Sequence, residues 1–173
     1  MKIRSGKEKR TMKDCLLIID VQIGFLTKET MHIPDRIVCL AEKTKFEHIV
    51  ATKFINSENT PHYKIIGWNE MMDEGSQMLE PGIEKISEKV FEKSTNTCLT
   101  EGFLEFIKNA GIEKLYLAGI DTDCCVMKTA YDCFDKEIPF EVLTDCCAST
   151  GGKIVHDAAC MLMRRNLGKK SVK

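Results

Sequence analysis

The chain lacks a charge imbalance, a long apolar run and any pattern of metal-ligand spacing, and each absence removes a class of function. Lysine and arginine number 25 against 26 acidic residues, for a net charge of -1. That leaves no electrostatic footprint for nucleic acid or an anionic membrane surface. No uninterrupted hydrophobic stretch approaches a membrane span. Residues 1–13 are basic and polar with no apolar run behind them, which does not read as a secretory signal. They read as a mobile N-terminal extension, or a leader ahead of Met12. No C-x-x-C pair occurs, so zinc-ribbon and thioredoxin patterns lack their signature. The four histidines are scattered at 32, 48, 62 and 156 without ligand spacing. No internal repeat, low-complexity segment or domain linker is visible.

What is present is a globular composition: 173 residues, 43% hydrophobic and 29% charged. That suits a single domain with a real core, placed at residues 14–173. The nine cysteines form an odd set. They read as reduced thiols in a cytoplasmic setting. Neighbouring pairs such as Cys124–Cys125 are too close along the chain for an unstrained disulfide.

The stretch over residues 115–130 organises the rest. Leu115, Tyr116, Leu117 and Ala118 read as a buried strand, which breaks at Gly119. Short polar residues follow, Asp121, Thr122 and Asp123. From Cys124 the apolar positions recur at helical spacing through Val126, Thr129, Ala130, Cys133 and Phe134. A cysteine at the start of a helix meets unpaired N–H groups and partial positive charge, which favour the nucleophilic thiolate. The alternative is that Cys124 and Cys125 are small core residues, since free cysteine is commonly buried.

Upstream, residues 15–19 form a continuous apolar run of the kind buried in parallel sheets. It ends in Asp20, where open α/β sheets place their ligands; a turn or cap aspartate is the other reading. A helix is predicted from Pro34-Asp35 to about residue 46, and a strand over 48–55. Residues 61–72, with Tyr63, Trp68, Met71 and Met72, have no clean period and read as an irregular segment or pocket wall. A short helix or turn covers 79–87, and a short strand over 89–91 leaves Lys93 just beyond it. Thr97 or Thr100 caps a helix over 101–110, which Gly111 stops. A fifth strand spans 139–143 and ends before Asp145. A last helix, capped by Ser149 or Thr150, runs to about residue 165.

Strands alternating with helices predict a three-layer α/β/α fold, doubly wound and Rossmann-like, with a mostly parallel sheet of five or six strands. The loops following the strands then share one edge, where Asp20, Lys93 and Cys125 can meet.

Three segments resemble the isochorismatase-like cysteine hydrolases, which include nicotinamidases and related amidases. They are Leu17-Ile-Ile-Asp-Val-Gln22, Val90-Phe-Glu-Lys-Ser94, and Gly119-Ile-Asp-Thr-Asp-Cys-Cys-Val126 followed by Thr129-Ala130. The resemblance implies Asp20, Lys93 and Cys125 as the catalytic residues, Cys125 being the cysteine directly before Val126. It implies a cis peptide between Ile120 and Asp121, and an oxyanion hole from the backbone N–H groups of Asp121 and Cys125. It also implies a small amide-like substrate and a homo-oligomer, dimer or larger. Phe25, Tyr63 and Trp68 are the expected pocket residues.

The sequence departs from that family after the second strand, where nicotinamidases carry an Asp-x-His…His metal site. Here residues 52–62 retain only His62, so no metal or other cofactor is expected. Ile23 replaces a common asparagine. The resulting expectation is a metal-independent cysteine hydrolase that cleaves a C–N bond through a thioester on Cys125. Two alternatives remain: an isochorismatase-type hydrolase of another small metabolite, and a thiol-responsive or non-catalytic oligomeric binding protein of the same fold.

Overall fold

The computed structural model describes residues 13–173. The expected N-terminal extension therefore falls, but for Lys13, outside the described residues. Among the described residues, five strands form one sheet: β1 (Asp14–Ile19), β2 (His48–Phe54), β3 (Lys89–Lys93), β4 (Lys114–Ile120) and β5 (Phe140–Ala148). Their order is β3-β2-β1-β4-β5, and every neighbouring pair is parallel.

The helices are α1 (Ile33–Lys43), α2 (Pro61–Ile66), α3 (Glu74–Gln77), α4 (Pro81–Ile86), α5 (Glu101–Ala110), α6 (Met127–Asp135) and α7 (Lys153–Leu167). Strand periodicity decides which helices cover which face. Cys15, Leu17 and Ile19 pack with Phe103 of α5, Ala130 and Cys133 of α6, and Met163 and Leu167 of α7. Leu16 and Ile18 point the other way, onto Ile33 and Ile37 of α1 and Ile83 of α4. Residues Cys15 through Ile19 are all 0% exposed. Burying each of the large ones stabilises the fold by about 1.5–3 kcal/mol. An unbroken apolar run is what a central parallel strand needs, because neither face meets water.

Local signals set several boundaries. The Thr100 side chain accepts the Phe103 N–H at the start of α5, and Gly111 ends that helix in the left-handed region at φ 69°. Helix α1 stops at Lys43, short of the expected residue 46, and the Thr44 N–H closes it onto the Leu40 carbonyl. Residues 61–72 are not wholly irregular: Pro61 at the first turn and a cap from Thr60 make α2.

Strand β5 is longer than its sequence pattern. It runs through Asp145 to Ala148, with a register irregularity opposite Leu117 and Gly119. Helix α7 accordingly starts at Lys153, behind Gly152 rather than behind a Ser149 or Thr150 cap. The C-terminal tail covers part of β5: Ser171 and Lys173 exchange backbone hydrogen bonds with Val142, and the Lys173 carbonyl accepts from Thr144. Covering an edge in this way blocks pairing with another chain. No helix among the described residues is long and apolar enough to cross a membrane.

Candidate active site

The strand order makes a crevice. The chain lays β2 and β3 on one side of β1, then returns to lay β4 and β5 on the other, and such a reversal opens a ligand site at the carboxyl ends of the central strands. Asp20 follows β1 at this point, is 0% exposed, and takes a left-handed backbone conformation at φ 51°. Side-chain-bearing residues enter that region rarely, aspartate more readily than most. Thr52, which pairs with Ile19 in the β1–β2 ladder, fixes the carboxylate: its hydroxyl donates to Asp20 Oδ1 at 2.7 Å and accepts the Asp20 N–H at 3.3 Å.

Lys93 ends β3, two strands away from β1. Strands lie about 4.8 Å apart, so only a long side chain bridges that distance. It crosses Phe54 of β2, its Nζ standing 5.1 Å from the ring centroid. The ammonium then meets Asp20 Oδ2 at 2.7 Å, the Thr95 carbonyl at 2.9 Å and Cys125 Sγ at 3.3 Å. Burial alone would depress this lysine, but Asp20, with Cys98 and Cys125 close by, holds it well above the usual range. It is an ammonium at any working pH.

Cys125 arrives from the other side of β1. After β4 the chain makes a π-helical turn over Thr122–Val126 and only then enters α6. Such turns recur at functional sites. The Ile120–Asp121 peptide is cis. The Asp121 carbonyl accepts from both Cys124 N–H and Val126 N–H, at 3.2 and 3.1 Å, closing the turn. The Asp121 carboxylate ties the turn to the loop before α7, accepting from Thr150 N–H at 2.6 Å and Thr150 Oγ1 at 2.8 Å. Burial raises the pKa of this carboxyl above the ordinary range.

Hydrogen-bonded with Cys124 and buried beside Asp20, Cys125 is pushed well above its ordinary pKa, and Lys93 offsets only part of this. The reason is tertiary: the ammonium is already committed to Asp20, and the cysteine lies inside a π turn rather than at a bare helix terminus.

Cys125 opens onto a cavity of about 290 Å³. Phe25 and Trp68 line it, with ring centroids 6.2 Å apart and planes within 7°. Phe54, His62, Ile66, Glu70, Asp121, Cys124 and Thr150 also contribute. Tyr63 does not, contrary to expectation. On α2 the positions four apart, His62 and Ile66, share the face turned to the cavity, and residue 63 is rotated off it. A larger cavity of about 560 Å³ lies between α1 and α7, but none of Asp20, Lys93 and Cys125 borders it.

Two amides that sequence reasoning gave no role hold the walls. Gln22 donates to the Phe54 and Gln77 carbonyls at 3.0 and 2.9 Å and accepts the Phe54 N–H at 2.7 Å. Asn56 donates to the Trp68 and Glu70 carbonyls at 3.1 and 2.8 Å. The signal for Gln22 was its place in the Leu17–Gln22 segment; nothing local marks Asn56.

The metal site of nicotinamidases, placed after the second strand by the sequence comparison above, finds no fitting donor set. His62 packs edge-on against Phe54 at 4.7 Å. Among the described residues no group of three or more His, Cys, Asp or Glu side chains is placed to hold a metal ion.

The structure is thus a doubly wound α/β protein whose buried carboxylate, ammonium and thiol meet beneath one aromatic cavity. The isochorismatase domain family matches residues 14–170, and the chain belongs to that family of hydrolases. A comparison with curated proteins gave no match. The structure is similar to nicotinamidase PncA from Bacillus subtilis, at 21% identity over 93% of this chain and 99% of that one, with a TM-score of 0.79. It is similar to N-carbamoylsarcosine amidase from Thermoplasma acidophilum, at 23% identity over 94% of this chain and 96% of that one, with a TM-score of 0.76. An isochorismatase-like hydrolase from Alkaliphilus metalliredigens is similar at 17% identity over 88% and 91%, with a TM-score of 0.78. At these identities the likeness is one of fold.

Proposed function

We propose that this protein is a metal-independent cysteine hydrolase that cleaves the C–N bond of a small amide through a thioester on Cys125. One observation carries the reading: the Lys93 ammonium lies 2.7 Å from Asp20 and 3.3 Å from Cys125 Sγ, beneath an aromatic cavity onto which Cys125 opens. Family membership supports hydrolysis, and two similar structures are named as a nicotinamidase and an amidase.

The steps follow from the groups present. Burial beside Asp20 and the hydrogen bond with Cys124 push the Cys125 thiol up, so attack on the amide carbonyl is coupled to proton transfer from sulfur to Asp20. Lys93 stabilises the forming thiolate by charge. The backbone N–H groups of Asp121 and Cys125 are the proposed donors to the oxyanion; Cys124 N–H and Val126 N–H are already spent on the Asp121 carbonyl. The C–N bond then breaks as Asp20 returns its proton to the leaving amine. Water adds to the thioester, giving a proton to Asp20; the S–C bond breaks, and the sulfur takes the proton back. The Asp20 carboxylate and the Cys125 thiol are regenerated.

The competing thiol-responsive reading has less support. Burial pushes Cys15 and Cys133 up to about 12 and Cys98 to about 11, which is poor poise for a sensor near neutrality.

Ammonia release from a panel of small primary amides and ureides tests the proposal. The expected result is turnover unaffected by chelator, a Cys125 acyl adduct trapped by acid quench and mass mapping, and loss of roughly a thousandfold or more in Cys125→Ala at unchanged melting temperature. Turnover that survives Cys125→Ala, or that chelation abolishes, refutes it.

A further inference from the structure

The cavity above Cys125 has a charge character as well as a shape. Phe25, Phe54, His62 and Trp68 give it aromatic walls, and Glu70 and Asp121 are its acidic residues. Among the described residues no lysine or arginine lines it. Lys93 lies behind the cysteine, is 5% exposed, and already serves Asp20, Cys125 and the Thr95 carbonyl. An anionic group entering here would lose hydration and find no lysine or arginine to receive it. A positive group would find aromatic faces, which attract cations through their quadrupole, and acidic residues of opposite sign.

We propose that the site selects its amide by charge: a small carboxamide that bears a positive charge is preferred, a neutral one is accepted, and a carboxylate-bearing one is rejected. Glu70 sets the preference. Asn56 holds the backbone carbonyls of Trp68 and Glu70, so changing the exposed Glu70 side chain leaves that anchor in place. The inference deepens the reading of Cys125 as the nucleophile and rests on it for turnover, though not for binding.

Four probes separate charge from shape. N-methylpyridinium meta-carboxamide is compared with its neutral isostere meta-methylbenzamide, and meta-carboxybenzamide with meta-nitrobenzamide. Each is titrated for protection of Cys125 against iodoacetamide, read by site-specific mass mapping, and each is assayed for ammonia release. The cation is expected to protect at about tenfold lower concentration than its isostere, a difference of about 1.4 kcal/mol. The anion should need at least about tenfold more than its isostere. Glu70→Gln should cut the cation's advantage about threefold or more, and Glu70→Lys should reverse it. Added salt should narrow the gap, because the rim charge is exposed.

The proposal is overturned if protection is blind to charge, if the anion binds best, if Glu70→Gln leaves the cation-to-isostere ratio intact, or if no probe protects at tens of millimolar. Protection in the expected order without ammonia release would sink the nucleophile reading and leave charge selection standing. Hydrolysis without that order would do the reverse.

Discussion

Replacing Lys93 by methionine tests the electrostatics of the site without any knowledge of substrate. The Lys93–Asp20 pair is separated by 2.7 Å, and both side chains are 0% exposed. At an effective dielectric of about 20, two unit charges at that distance attract by about 6 kcal/mol. Desolvation of both groups offsets part of this. What remains decisive is the asymmetry: removing one partner strands the other, at a cost of about 3–5 kcal/mol. Methionine keeps the length of the stem across Phe54, so lost packing is a small part of the change. Lys93→Met is therefore expected to lose about 3–5 kcal/mol of unfolding free energy in urea at pH 7. The double variant Asp20→Asn, Lys93→Met strands no charge and should recover at least about 2 kcal/mol of that loss. A loss below about 1 kcal/mol at pH 7, or a double variant no more stable than the single one, would refute the reasoning.

Two further outcomes follow from the core. A methyl group at Gly119 would sit 2.1 Å from the Ile19 carbonyl oxygen, at φ 134°, where two central strands are hydrogen-bonded in register. Gly119→Ala should cost about 4 kcal/mol or more, whereas Gly102→Ala, in open space on α5, should gain about 0.5–1 kcal/mol; chemical denaturation of the pair checks both. Buried thiols give the alkaline limb. Burial raises Cys15 and Cys133 to about 12 from the usual thiol value of 9.0, so their contribution is complete below pH 9 and is lost as pH climbs towards 12. Each such thiol removes about 1.4 kcal/mol per pH unit in that window. The melting temperature should fall steadily above pH 9, less steeply in Cys133→Ala; a flat profile to pH 10.5 would contradict the burial argument.

How the chain divides between legible and hidden is clearest at particular residues. The apolar run before Asp20, the cap at Thr100 and the stop at Gly111 act through their own neighbours, so composition and spacing exposed them. The sequence pattern ends strand β5 early because Thr144 and Asp145 break its apolar run; pairing with β4, a neighbour distant in sequence, carries it on to Ala148. Tyr63 looked like a pocket residue for its chemistry, but the face of a one-turn-and-a-half helix is set by docking, and docking turned His62 and Ile66 inward.

The amino-acid order alone determined that strands and helices alternate, that an acid, a lysine and a cysteine lie at or just after the carboxyl ends of strands, and that the family's segments occur in sequence. These are properties of near neighbours, where periodicity and capping act. Tertiary structure alone decided that Lys93 reaches over β2 to Asp20, that Thr52 orients the carboxylate, that Asn56 and Gln22 hold the cavity wall, and that the Cys125 sulfur is buried against the Lys93 ammonium. Those depend on which strands become neighbours and on how much water is excluded between them, and neither quantity is written in any local stretch of the chain.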